Sequence, residues 1–164
     1  MGISMVMQER WRLALPQAEQ FIAVEARELS GRLKANFDID VPSDYLVTSR
    51  VKSINAIAEK IRARGISSPD PLALVNDVIG FRVLVLHCGY IDRVLAEIDL
   101  WATKAMLKLR NKENRFENPG VGGYRALHLD FRVSEQAGWS ELINIGVEVQ
   151  VTTWLQIFSR RNRS

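Results

Sequence analysis

Strict alternation marks residues 146–153, Gly-Val-Glu-Val-Gln-Val-Thr-Thr: Val147, Val149 and Val151 fall on one side, Glu148, Gln150 and Thr152 on the other. A period of two predicts a strand with one buried face. Residues 124–133 alternate in the same way, with Tyr124, Ala126, His128, Asp130 and Arg132 opposite Leu127, Leu129, Phe131 and Val133. Residues 78–87, dense in β-branched and apolar side chains, predict a third, buried strand. Helical spacing governs residues 5–35 through Trp11, Leu15, Phe21, Leu29 and Leu33, with Pro16 marking a start or a kink. It returns over 49–64, where Ile54, Ile57, Ala58 and Ile61 form one stripe that Gly65 stops, and again over 90–107. Residues 36–44, 67–71 and 134–140 read as loops or turns. Polar 108–123 reads as a loop long enough to be functional, and Trp154 starts a last helix. Helices flanking a small mixed or mostly antiparallel sheet make the fold class α+β.

Composition narrows the chemistry. A chain of 164 residues, 47% hydrophobic and 25% charged, is one globular domain with room for a core. A formal charge of +3 suits phosphate-bearing small molecules and is too weak for duplex DNA. One cysteine, Cys88, excludes an internal disulfide and a cysteine-based zinc cage. Neither a membrane-spanning apolar run nor the layout of a cleaved signal is present, so no membrane partner is expected.

Three segments put polar groups where the pattern calls for core or plain surface. Arg50 and Lys52 lie two apart at the expected start of a helix, with Lys60 ten after Arg50. Such cations can neutralise a triphosphate, although on spacing alone a solvated helix edge is the favoured reading. Asp77 precedes a strand in which Arg82 is embedded, with Gly80 between them leaving room for a close approach. Asp at a strand end is commonly a turn residue, but Arg in so apolar a run needs a carboxylate or phosphate partner. Gly122 and Gly123 lead into Tyr124, which offers a flat surface for a base or else closes the core. Glu148 and Asp77 together, with few sulfur or imidazole ligands in the chain, suit a hard cation such as magnesium. The composite is a metal-dependent nucleotide site for phosphoryl or pyrophosphoryl transfer, and no Gly-x-x-x-x-Gly-Lys loop is present.

These segments, in this order, resemble the synthetase domain of the RelA/SpoT alarmone enzymes, including the small single-domain synthetases. Arg50, Lys52 and Lys60 match the family's Arg-x-Lys with a later Lys, and Asp77, Gly80 and Arg82 its Asp-x-x-Gly-x-Arg strand. Gly123, Tyr124 and His128 match Gly-Tyr-x-x-x-His, and Glu148 and Gln150 match Glu-x-Gln. The resemblance implies a nucleotidyltransferase-like fold, with a helical part at 1–48, a catalytic core at 49–153 and a tail at 154–164. It implies a pyrophosphokinase that moves the β,γ-pyrophosphate of ATP to the 3′-hydroxyl of a nucleotide. Arg50, Lys52, Lys60 and Arg82 would bind ATP, Asp77 and Glu148 would hold Mg2+, and Glu148 would take the hydroxyl proton. Tyr124, His128 and Gln150 would serve the acceptor.

The chain departs from the family at Gly120, Gly122 and Ala126, where Lys, Asn and Ser are usual, and at Ala56 and Thr152, where Ser and Arg are usual. The acceptor loop has lost a cation and an amide. An adenosine acceptor, giving (p)ppApp, therefore ranks slightly ahead of guanosine and (p)ppGpp. The related effector toxins make a growth-inhibiting role an option, with a protein antitoxin or immunity partner, cytoplasmic action and delivery without a cleaved signal. Pyrophosphorylation of a tRNA 3′ end, which the basic tail Arg160–Arg163 would suit, ranks third, and an inactive nucleotide- or RNA-binding module is the rival class.

Overall fold

The computed structural model describes residues 4–37, 46–117 and 125–153. Its strands are β1 (Val47–Val51), β2 (Ile79–Val85), β3 (Leu107–Asn114), β4 (Leu127–Val133) and β5 (Gly146–Thr153). Its helices are α1 (Met5–Phe37), α2 (Ile54–Ala63) and α3 (Ile91–Lys104), joined in places by single 3-10 turns. The strands form one mixed sheet in the order β1-β2-β5-β4-β3. β2 and β5 run parallel, and the other neighbours are antiparallel.

One face of the sheet is apolar for the reason the alternation gives. Ile79, Phe81 and Val83 on β2, Val147, Val149 and Val151 on β5, and Leu127, Leu129, Phe131 and Val133 on β4 are all buried. α1 and α3 cover this face through a ladder of rings. Phe21 meets Phe81 edge-on at 6.3 Å, and Trp101 meets Phe81 at 5.4 Å and Phe131 at 6.5 Å. The buried Trp101 ring keeps its N–H satisfied by donating to Glu25 Oε2 at 2.8 Å, which ties α3 to α1. Among the described residues no helix is long and apolar enough to cross a membrane.

Two expectations are corrected. Residues 49–64 are not one helix: β1 ends at Val51 and α2 begins at Ile54. Ser53 caps α2, its hydroxyl accepting from Ala56 N at 3.3 Å, and Gly65 ends it with a φ of 61°. Arg50 therefore stands on a strand and Lys52 on the connection, not at a helix start. Residues 108–114 are not a loop either; with Leu107, expected to end a helix, they form β3, paired to β4 from Leu107 to Asn114 with an irregularity at Arg110. β3 is an edge strand exposed along most of its length, so its pattern is polar and the irregularity breaks its period. Pro16 lies inside α1 rather than at its start. The remaining expectations for residues 38–44, for Gly120–Tyr124 and for the helix from Trp154 fall outside the described residues.

Gly146 opens β5 at a point where a methyl group has no room. A Cβ there would overlap the Val75 carbonyl oxygen and the Arg132 guanidinium. Gly146→Ala is expected to destabilise the protein by about 1–3 kcal/mol, the usual cost of overpacking, read as a lower midpoint in thermal or urea unfolding.

Candidate active site

The second face of the sheet is polar, and the register sets its side chains in rows that cross all five strands. One row runs Arg50, Gly80, Glu148, Asp130 and Asn111; the next runs Thr48, Arg82, Gln150, His128 and Glu113. Rows two residues apart are separated by about 7 Å. Residues far apart in the chain thus become neighbours, and Arg50, Arg82, His128, Glu148 and Gln150 share one surface.

A chain of side-chain contacts links them. Arg82 Nη2 donates to Gln150 Oε1 at 3.4 Å, and Gln150 Nε2 donates to Glu148 Oε1 at 2.6 Å. His128 Nδ1 stands 3.3 Å from Glu148 Oε2, so each carboxylate oxygen of Glu148 has its own partner. A cleft of about 170 Å³ opens over Arg50, Gly80, Arg82, Glu148 and Gln150. The room at Gly80 is taken by the Arg50 side chain, whose Cγ and Nε lie 3.6 Å from where a Cβ would be.

Asp77, just before β2, is held separately. Lys52 Nζ lies 2.5 Å from Asp77 Oδ2, and Lys60 Nζ bonds Oδ1. The cations expected beside a triphosphate thus hold Asp77, from the β1–α2 connection and from α2. All three side chains are largely withdrawn from water.

The electrostatics follow from these partners. Burial pushes the Asp77 carboxyl up, but the hydrogen bonds and charges of Lys52 and Lys60 outweigh it and hold it below the ordinary value. Burial likewise pushes Glu148 up, while hydrogen bonds from His128 and Gln150 and the charge of His128 bring it below the ordinary value. Asp77 acts on Glu148 as a repelling charge, so the two carboxylates feel each other although they share no partner. Among the described residues no group of three His, Cys, Asp or Glu side chains could hold a metal by itself. Two hard oxygen ligands of this kind fit magnesium only where other oxygens, such as those of a polyphosphate, complete its shell. Tyr124 lies outside the described residues.

Three further residues belong to this surface. Asp130, directly across from Glu148 on β4, is 8% exposed, and burial followed by the charge of Glu148 pushes its carboxyl up. Asn76 donates to Asp130 Oδ2 at 3.2 Å and accepts from Arg132 Nη2 at 2.5 Å. The alternation of β4 sets Asp130 and Arg132 on the Glu148 face, yet nothing in it marks them for a role, and Asn76 has no pattern at all.

Residues 49–161 match the family described as the region found in RelA / SpoT proteins. The chain belongs to the RelA/SpoT family. Its fold is shared with the small alarmone synthetase 1 from Bacillus subtilis bound to its product pppGpp. That structure has a TM-score of 0.71 at 21% identity, over 94% of this chain and 78% of that one. A GTP pyrophosphokinase family protein from Streptococcus pneumoniae has a TM-score of 0.70 at 19% identity, over 98% and 75%. The Bacillus subtilis synthetase bound to AMPCPP gives 0.63 at 20% identity, over 94% and 75%. No curated protein matches the chain. In this RelA/SpoT chain the matched region takes in both rows of the polar face except Thr48, while α1, which backs the sheet, precedes it.

The Lys52–Asp77–Lys60 cluster has a measurable signature. Asp77→Asn leaves two ammonium groups facing a neutral amide and is expected to cost about 1–3 kcal/mol at pH 7. Because the folded-state carboxyl lies below its unfolded value, its contribution is present above about pH 4 and is lost as pH falls through the folded value. The stability gap between wild type and variant should therefore close as unfolding is followed from pH 7 toward pH 3. A gap that stays constant would show that Asp77 is not ion-paired.

Proposed function

We propose that the protein is an ATP-dependent pyrophosphokinase that transfers the β,γ-pyrophosphate of ATP to the 3′-hydroxyl of a purine nucleotide. The observation that carries this reading is the cleft that sets Arg50 and Arg82 beside Glu148 and Gln150, with Lys52 and Lys60 nearby on Asp77. Family membership supports it.

In this reading Arg50 and Arg82 grip the donor triphosphate from β1 and β2, and Lys52 and Lys60 turn part of their charge toward it. Asp77 and Glu148 are the residues that would hold magnesium, which supplies charge neutralisation to the polyphosphate when bound. Glu148 takes the proton from the acceptor 3′-hydroxyl as its oxygen bonds to the β-phosphorus. The bond from that phosphorus to the bridging oxygen of the α-phosphate breaks, and AMP leaves with the electron pair. The hydrogen bond from Gln150 and the contact with His128 fix the carboxylate for this role. His128 would serve the acceptor side next to Glu148, which it contacts. Tyr124 is assigned the acceptor base by its match to the family motif alone. Gly120, Gly122 and Ala126 favour adenosine slightly over guanosine as the acceptor, because the usual cation and amide are absent.

Purified protein with ATP, magnesium and a panel of purine nucleotides is expected to release AMP and a pyrophosphorylated product identifiable by mass spectrometry. Glu148→Gln should lower that rate by at least about two orders of magnitude, as loss of a positioned base does. ATP binding without AMP release on any acceptor would replace the enzyme with a nucleotide-binding module.

An enzyme spending ATP on an adenosine acceptor would act as a growth-inhibiting toxin and call for a protein antitoxin. Induced expression is expected to arrest growth for the wild type and not for Glu148→Gln, counted as colony-forming units. Equal arrest by both would remove the toxin role.

A further inference from the structure

Asp77 and Glu148 reach the polar face by different means. Glu148 lies within the ladder, opposite Gly80 on β2 and Asp130 on β4. Asp77 lies outside it, in the short connection between the 3-10 turn Pro71–Leu74 and β2, whose pairing begins only at Ile79. The charge of Asp77 moreover acts on Glu148 as repulsion. Two ligands of one cation have to be held to within about 0.5 Å, so the connection needs a fixing point of its own.

That point lies over β5. The carbonyl oxygens of Val75 and Asn76 pass over Gly146, two residues before Glu148, so closely that a Cβ there would overlap both. Arg132 Nη1 shares the same space. Arg132 stands on β4, and β5 separates β4 from β2. The missing side chain of Gly146 is thus the gap through which the guanidinium crosses β5. On the far side Nη2 donates to Asn76 Oδ1 at 2.5 Å, and Asn76 Nδ2 donates to Asp130 Oδ2 at 3.2 Å.

Asp130 and Arg132 lie two apart on one face of β4, yet among the described residues no salt bridge joins them. Both spend a hydrogen bond on Asn76 instead, and an amide is the side chain that can donate to the acid and accept from the base at once. Hydrogen bonds to charged partners are the strong ones, and this amide has two. Asp130 is buried and Asn76 and Arg132 are half-buried, so water competes little for these bonds. Asn76 directly precedes Asp77. Whatever fixes its side chain and its carbonyl also fixes the backbone from which Asp77 projects.

We propose that Asn76 and Arg132 are positioning residues: with Asp130 as anchor, they clamp the connection over Gly146 and so set the separation of Asp77 from Glu148. The proposal rests on the pyrophosphokinase reading for the role of the two carboxylates as joint magnesium ligands. Asn76 and Arg132 act only through Asp77, as the outer partners of metal ligands do. Loss of such partners lowers metal affinity or activity roughly ten- to hundredfold.

The test measures how strongly a metal helps the nucleotide to bind. Equilibrium dialysis gives the affinity of the full chain for α,β-methylene ATP with and without Mn2+, and the ratio of the two is the metal linkage. Asn76→Leu, of similar size, should lower that ratio by about tenfold or more while the metal-free affinity stays within about twofold. Arg132→Met should act in the same direction, and Arg132→Lys, which keeps a donor for Asn76, should restore most of the ratio. In turnover Asn76→Leu should lower kcat by about tenfold and raise the Mg2+ concentration at half-maximal rate, with the ATP KM at saturating Mg2+ within about twofold. If thermal unfolding shows that Asn76→Leu does not fold, Asn76→Ser, too short to bridge both partners, takes its place. Equal ratios in wild type and variant, affinity that falls alike with and without Mn2+, or no metal linkage in the wild type would overturn the clamp. A ratio that collapses in the variants while the wild type transfers nothing to any purine nucleotide keeps the clamp and rejects the enzyme. Transfer by the wild type with a ratio indifferent to Asn76 and Arg132 does the reverse.

Discussion

The constraint on which the site depends is the register of β2, β5 and β4. Each of these strands gives its odd-numbered residues to the core under α1 and α3 and its even-numbered residues to the opposite face. A slip of one residue in any of them would turn Glu148, His128 or Arg82 into the packed rings of Phe21, Phe81, Trp101 and Phe131. Burying an unpaired charge there costs far more than the sheet gains from a shifted pairing. The apolar core therefore places the polar surface, and Gly146 and the Trp101–Glu25 bond belong to the site although neither stands in the cleft.

A mixed sheet suits such a surface. β2 and β5 run parallel, so their starts lie at one end, and Asp77 before β2 and Glu148 early in β5 come to that end together. The antiparallel neighbours then return Arg50 on one side and Asp130 and Arg132 on the other. Long-range partners thus arise from short strands.

What the sequence made legible follows the same logic. Strands with one buried face, β2, β4 and β5, reveal themselves through alternation, and so do the side chains on their other face. Edge strands do not. β1 is five residues with one fully buried side chain, Val47, and it runs directly into the apolar stripe of α2, so the two read as one helix. β3 is solvated along most of its length and interrupted at Arg110, so it reads as a loop. The contact partners were less legible than the residues. Lys52 and Lys60 are cations spaced as a phosphate site requires, yet here both bond Asp77. Asn76 could be found only in three dimensions, because it joins Asp130 and Arg132 by side-chain bonds across more than fifty residues of chain.

Net charge is a poor guide to this surface, and the reason is local. The chain as a whole carries only +3, because many of its cations are matched by acids on the helices, as Arg12 is by Glu9 and Lys104 by Glu28. On the polar face matching is selective. Asp77 pairs with two lysines and offsets only one of their two charges, while Glu148 is held by Gln150 and His128. Arg50 and Arg82 on one flank and Arg132 on the other take no carboxylate among the described residues. A carboxylate held in place beside cations that form no salt bridge suits a ligand that is anionic and carries a removable proton. In the proposed reading a ribonucleotide drawn against a polyphosphate would be a ligand of that kind.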